Sequence, residues 1–256
     1  MSRVRQAWPA ALLLVALIGI WELYVDLHGD TFSLILPAPH QVAKALYTDR
    51  GLLWSNFLVT AKEVLLGILL ATAVGVVLAV AIHFSPTVRR AVYPLVVASQ
   101  AVPVVVFAPV LAFWLGFGLL PKLAVIALVS FFSIVVTTTA GFAMVDPDLI
   151  KLMRTFDASR LRTFRHVELP TALPGVFTGV KIAVAVSVIG AVFAEWNGSN
   201  SGLGYVILQS LPQLLAARGV AAVVILSVFA IALFSLLALA ERIALPWAYH
   251  DREERA

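Results

Sequence analysis

The sequence predicts an all-α membrane protein with six transmembrane helices and both termini in the cytoplasm. Three observations lead there. First, 61% of the 256 residues are hydrophobic and 12% charged, against roughly 45–50% and about 25% in a soluble domain. With a mean hydropathy of +0.99, the chain has more apolar surface than a water-soluble core can hide. This excludes an ordinary soluble enzyme, and the surplus faces lipid. Second, six apolar runs reach the roughly 20 residues that a helix needs to cross a hydrocarbon core of about 30 Å. Third, lysine and arginine are distributed unevenly between the two sides that these runs define.

The first run, Trp8–Leu27, follows Arg3 and Arg5 as a signal peptide would. It is too long for an h-region, no small-x-small cleavage site follows, and it ends in Trp21, Glu22 and Tyr24. It therefore reads as a retained span. An outer connection covers 28–57, and Leu58–Ile82 is the second span. The third, Ala91–Leu115, is interrupted by Gln100, Pro103 and Pro109. Proline removes a backbone donor and bends a helix. In lipid such a break survives only where protein or a water-filled cavity covers the freed carbonyls. The span either lines the inside of an assembly or is a kinked lipid-facing helix. Leu119–Phe142 is the fourth span, followed by an inner connection over 143–174. Gly175–Trp196 and Gly219–Ala240 are the fifth and sixth. The whole reads as one transmembrane domain over 1–256, with an extra span at 8–27, a core at 57–245 and a cytoplasmic segment at 143–174.

With the N-terminus inside, twelve cations fall on inner segments: Arg3, Arg5, Arg89, Arg90, Lys151, Arg154, Arg160, Arg162, Arg165, Arg242, Arg252 and Arg255. Four fall outside: Lys44, Arg50, Lys122 and Arg218. This is a positive-inside pattern, and it explains the pI near 9.6 as topology. No aromatic–basic interleaving points to nucleic acid. Cysteine is absent, which excludes disulfides, thiolate-held zinc and iron–sulfur clusters. No metal ligand set is expected.

The inner segment carries the most information. Asp146 is a good N-cap and Pro147 suits the first helical position. Leu149, Ile150, Leu152, Met153 and Phe156 fall on one helical face. Asp157 can cap a second short helix bearing Ala158, Leu161, Phe164 and Val167, and Pro170 and Pro174 end the unit. Such an amphipathic pair either lies on the bilayer surface or docks a cytoplasmic partner; the residues alone leave both open.

Ionisable groups inside a membrane are costly and read as functional candidates. Glu195, beside Trp196 and Asn197, is one; an interfacial glutamate with a belt tryptophan is the plainer reading. Gln100 and Ser133 are polar positions in spans three and four, although span hydroxyls often serve only to join helices. These five are the candidate translocation residues. Glu63 and Lys62 can reach the interface or pair, and Lys181 can snorkel inward.

The inner segment resembles the cytoplasmic loop of ABC importer permeases, whose pattern is Glu-Ala-Ala, three residues, Gly, nine residues, Ile, one residue, Leu-Pro. Anchored on Leu169-Pro170, the Ile position is Val167, the Gly position Asp157, and the Glu-Ala-Ala positions Lys151, Leu152 and Met153. LPAPHQV at 36–42 and AEWNGSNSGLGYVI at 194–207 resemble the group that imports nitrate, sulfonates, taurine and thiamine precursors. The hydroxymethylpyrimidine branch is the most similar.

The resemblance implies a type I ABC importer-like fold in a prokaryotic cell membrane. It further implies a homodimer of permeases, two ATPase subunits beneath it, and an extracellular or periplasmic binding protein that delivers the solute. Lys151, Leu152, Met153, Phe156, Asp157, Ala158, Ser159 and Arg160 become the ATPase-coupling residues. No G-x-x-x-x-G-K-[ST] occurs in the chain, so ATP and magnesium are expected on the partner ATPase and no catalytic residue or cofactor on this one. The rival classes fit less well. A secondary ion-coupled transporter calls for acidic groups at mid-span, an intramembrane enzyme for a dyad or carboxylate pair, and a scaffold for no broken span. The same machinery carrying a sulfonate, taurine or nitrate is the alternative substrate reading.

Overall fold

A computed structural model describes residues 4–29 and 34–248. Three of the inward cations, Arg3, Arg252 and Arg255, lie outside them. The described residues are mostly helical, without strands. The helices are α1 (Val4–His28), α2 (Pro39–Thr48), α3 (Arg50–Phe84), α4 (Pro86–Ala98), α5 (Val104–Leu115), α6 (Leu119–Ala143), α7 (Pro147–Thr155), α8 (Arg160–Thr163), α9 (Leu169–Trp196), α10 (Leu203–Ser210) and α11 (Ala216–Ala244). Two compact units result. One holds the chain up to Val59 with Asn200–Ser227; the other holds Thr60–Ser199 and the chain from Val228 onward.

Among the described residues, α3, α6, the continuous stretch Arg160–Trp196, and α11 are long and apolar enough to cross a membrane. The bent pair Pro86–Ala101 and Val104–Leu115 makes a fifth if it counts as one span. Apolar side chains on these helices point outward, with Leu69 66% and Ile231 67% exposed, as a lipid-facing surface requires. α1 occupies the predicted first span.

Three expectations change. The outer connection at 28–57 is largely helical: α2 lies within it, and α3 starts at Arg50 rather than Leu58. Residues 50–57 contain no proline, and Leu53 N–H bonds back to the Asp49 carbonyl, so nothing stops the helix. The second helix of the inner pair does not end at Pro170 and Pro174. It passes through a π-helical turn, Phe164–Glu168, into α9, with Pro170 in the first turn of α9 and Pro174 inside it. A π turn shifts the hydrogen-bond register and accommodates residues that lack a donor. The cap of α8 is Ser159, whose Oγ accepts from Arg162 N–H, rather than Asp157. The break in span three is where Gln100 and Pro103 place it. Ser99–Ala101 is a 3-10 turn, Val102 is extended (φ −79°, ψ 117°), and the two arms meet at 107°. The residue before a proline avoids the α region, while Pro109 sits inside α5 without ending it.

The core of the second unit is the contact of α6 with α9. Small residues Gly175, Gly179, Ala183, Ser187 and Gly190 recur along one face of α9, and small residues let helix backbones approach closely in a membrane. A Cβ on Gly175 would meet the Thr137 carbonyl at 2.5 Å, and one on Gly179 would meet Ile134 Cα at 2.7 Å. Gly179→Val therefore forces backbone apart. Its melting point in detergent should fall, reflecting a loss of about 1–3 kcal/mol of stability. Gly51→Ala, where nothing lies within 4 Å of the new methyl, should melt close to the unaltered protein.

Candidate functional site

The segment 146–160 is built from two caps and a turn. Asp146 Oδ1 accepts from Asp148 N–H at 2.8 Å and opens α7 with Pro147 in its first turn. Lys151 pairs with Asp148 at 2.7 Å on the exposed side. Asp157 has φ +52°, the left-handed region that asparagine, aspartate and glycine tolerate best. It thus supplies the turn that the family pattern gives to Gly. Leu152, Phe156 and Leu161 are 51%, 72% and 72% exposed; Met153 and Ala158 are half-buried, and Ser159 and Arg160 exposed. The hairpin presents bare apolar side chains flanked by Lys151, Arg154 and Arg160.

Aromatic contacts tie this hairpin to the spans. His83, near the end of α3, stacks on Phe142 at the end of α6 (4.4 Å, 19°), and its Nε2 lies 2.9 Å from Glu168 Oε2 in the π turn. Phe164 packs on Phe84 (5.0 Å) and Phe142 (5.9 Å), and the Arg160 guanidinium lies over Phe84 at 5.0 Å. These contacts join α8 and the π turn to the ends of α3 and α6. Sequence spacing does not reveal this link, because Glu168 falls at the free position of the Ile-x-Leu-Pro pattern.

At the other end of the second unit are buried polar groups. Glu195 is fully buried and its Oε1 accepts from Thr60 Oγ1 at 2.6 Å. One turn along α3, Glu63 pairs with Lys122 (2.6 Å), whose Nζ also donates to Ser199 Oγ (2.8 Å). Glu63 Oε2 is buried with no partner. Lys62 was the neighbour open to Glu63 from the sequence, but adjacent residues on a helix do not face each other. Lys181 likewise does not snorkel: it pairs with Glu241 at 2.6 Å, both partners largely buried.

Three of the five translocation candidates, Glu195, Trp196 and Asn197, sit together at the end of α9. Gln100 is exposed at the break of span three. Ser133 Oγ donates to the Ser130 and Gly179 carbonyls in the α6–α9 contact. Trp196 packs edge-on against Phe193 (5.2 Å), and Asn197 closes α9 by donating to the Phe193 carbonyl. In the first unit, Glu22, Asp26 and His40 bring donor atoms within 4.8 Å of one another. The His40 ring already bonds Glu22, so a cation would have to displace that contact.

The arrangement thus combines a broken span with an amphipathic hairpin tied to helix ends. The profile described as "Binding-protein-dependent transport system inner membrane component" matches residues 64–244. The chain belongs to that family. The permease is 34% identical over 248 residues to the formylaminopyrimidine transport permease protein ThiX of Halalkalibacterium halodurans, covering 96% of this chain and 98% of that one. It is 33% identical over 256 residues to the riboflavin transport system permease protein RibX of Chloroflexus aurantiacus, covering 96% and 93%. Its fold matches that of an amino acid ABC transporter crystallised with histidines. That comparison gives a TM-score of 0.63 at 16% identity over 77% of this chain and 96% of the other. The protein is an ABC importer permease subunit, a multi-pass component of the inner membrane and not an enzyme. Permeases of such importers work with ATPase subunits and binding proteins.

Proposed function

We propose that this permease imports a thiamine pyrimidine precursor, as one of two identical copies driven through segment 143–174 by two ATPases that hold the ATP and magnesium. One observation carries the coupling: the hairpin holds Leu152, Phe156 and Leu161 in the open at its apex. In water, large apolar groups clustered this way mark a contact surface. ATP-driven closure of the ATPases favours one of two packings of the bundle, and the hairpin passes that bias to α3 and α6 through His83, Phe142 and Phe164.

Six spans with both termini inside fit the twelve-to-four cation count and the length of α1. The chain then acts as one permease domain. A second copy fits the break in span three, where Gln100, Val102 and Val105 are exposed around a bent backbone that lipid cannot cover.

The substrate reading rests on the likeness to the formylaminopyrimidine permease. It is tested by titrating the cognate binding protein with hydroxymethylpyrimidine, formylaminopyrimidine, riboflavin and taurine, then measuring uptake into vesicles holding the whole transporter. Uptake of a pyrimidine alone is the expected outcome. Saturable uptake of taurine or another sulfonate without a pyrimidine would overturn it, and uptake by the permease without its ATPase would move the chain to ion-coupled transport.

A further inference from the structure

We propose that a cleft where α3 ends, α4 begins and α6 ends binds the phosphate of an anionic phospholipid headgroup. The cleft holds about 150 Å³ and opens to the surface, which is room for a group the size of a phosphodiester. Ile82, Pro86 and Phe142 form its apolar wall, and Arg89, His83 and Thr139 its polar one.

Three features select an anion. Arg89 is exposed and forms no ion pair among the described residues; its guanidinium fork matches phosphate oxygens in pairs. The hydroxyl of Thr139, a residue lining the cleft, is buried with no partner among the described residues. α4 starts at this wall, capped by Ser85, so the positive end of its dipole lies at the same place.

Two features select a lipid over free phosphate. The apolar wall has no use for a fully hydrated ion, whereas acyl chains lie beside such a wall in a membrane. The cleft also stands where the apolar lengths of α3 and α6 give way to Arg89, Arg90 and Arg160. Basic pockets between helices at the inner surface favour anionic headgroups. Only the choice of leaflet rests on the proposed topology. His83 lines the cleft and also holds Glu168, so a bound headgroup borders the link between hairpin and spans.

The test uses the full-length permease in detergent, where no inside or outside exists. Its failure therefore speaks to the cleft and not to the transport reading. Melting is followed during titration with phosphatidylglycerol, phosphatidylcholine or inorganic phosphate. Phosphatidylglycerol alone should raise the melting point. Its half-saturating concentration should rise about tenfold or more in Arg89→Gln, as loss of a charge-assisted pair predicts, and less in Thr139→Val. Arg90→Gln, outside the cleft and exposed, should respond as the unaltered protein does. An equal response to phosphatidylcholine, equal losses in Arg89→Gln and Arg90→Gln, or no change in either variant would overturn the site. An Arg89-dependent response to inorganic phosphate alone would overturn the lipid assignment.

Discussion

Met153→Asp combined with Phe156→Asp should release the ATPase subunits from the permease. Each places a carboxylate where the hairpin is expected to bury an apolar anchor. Anchors of this kind are worth roughly 2 kcal/mol or more apiece, so the double variant should bind at least a hundredfold more weakly. Phe156 is 72% exposed and the backbone turn that follows it rests on Asp157, so the permease itself should stay folded. Copurification of tagged permease with its ATPase reads the result, with melting of the isolated permease as control. An intact complex from the double variant would remove the hairpin from the coupling scheme.

Lys122→Ala should destabilise the permease by about 3–5 kcal/mol, because it leaves the Glu63 carboxylate buried without its counter-charge. Glu63 and Lys122 side chains are 4% and 11% exposed, and Glu63 Oε2 has no other partner to turn to. Replacing both, Glu63→Leu with Lys122→Met, should recover most of the loss, since a packed apolar pair can equal a buried ion pair. Melting of Glu63→Leu, Lys122→Met and the double variant checks this. Additive losses would mean the ion pair carries no coupling energy.

How far the chain could be read without coordinates differs from element to element. The helical stretches over spans two, four, five and six are strongly apolar, and such runs are legible because hydropathy is a local property. The kink at Pro103 was legible for the same reason: a missing N–H and a restricted preceding residue are local facts. The helix α2 is not legible in the sequence because PHQVAKALYT is short and of mixed polarity, and a helix of this length with Val42 and Ala45 buried depends on tertiary packing more than on propensity. The continuation of α8 into α9 is not legible because two prolines read as stops, whereas Pro170 falls in the first turn after a π turn and Pro174 is carried inside α9.

The sequence by itself determined that the chain lives in a membrane and that a short amphipathic helix capped by Asp146 follows span four. These follow from composition, spacing and charge along neighbouring residues. Only the tertiary structure decided that Lys122 neutralises Glu63, that Lys181 meets Glu241, that Glu195 is turned onto Thr60, and that His83 reaches Glu168. Partners in these pairs stand 59 to 135 residues apart. A buried charge needs some counterpart, but burial energy does not say which one; that choice is made where α3, α6, α9 and α11 come to lie against each other.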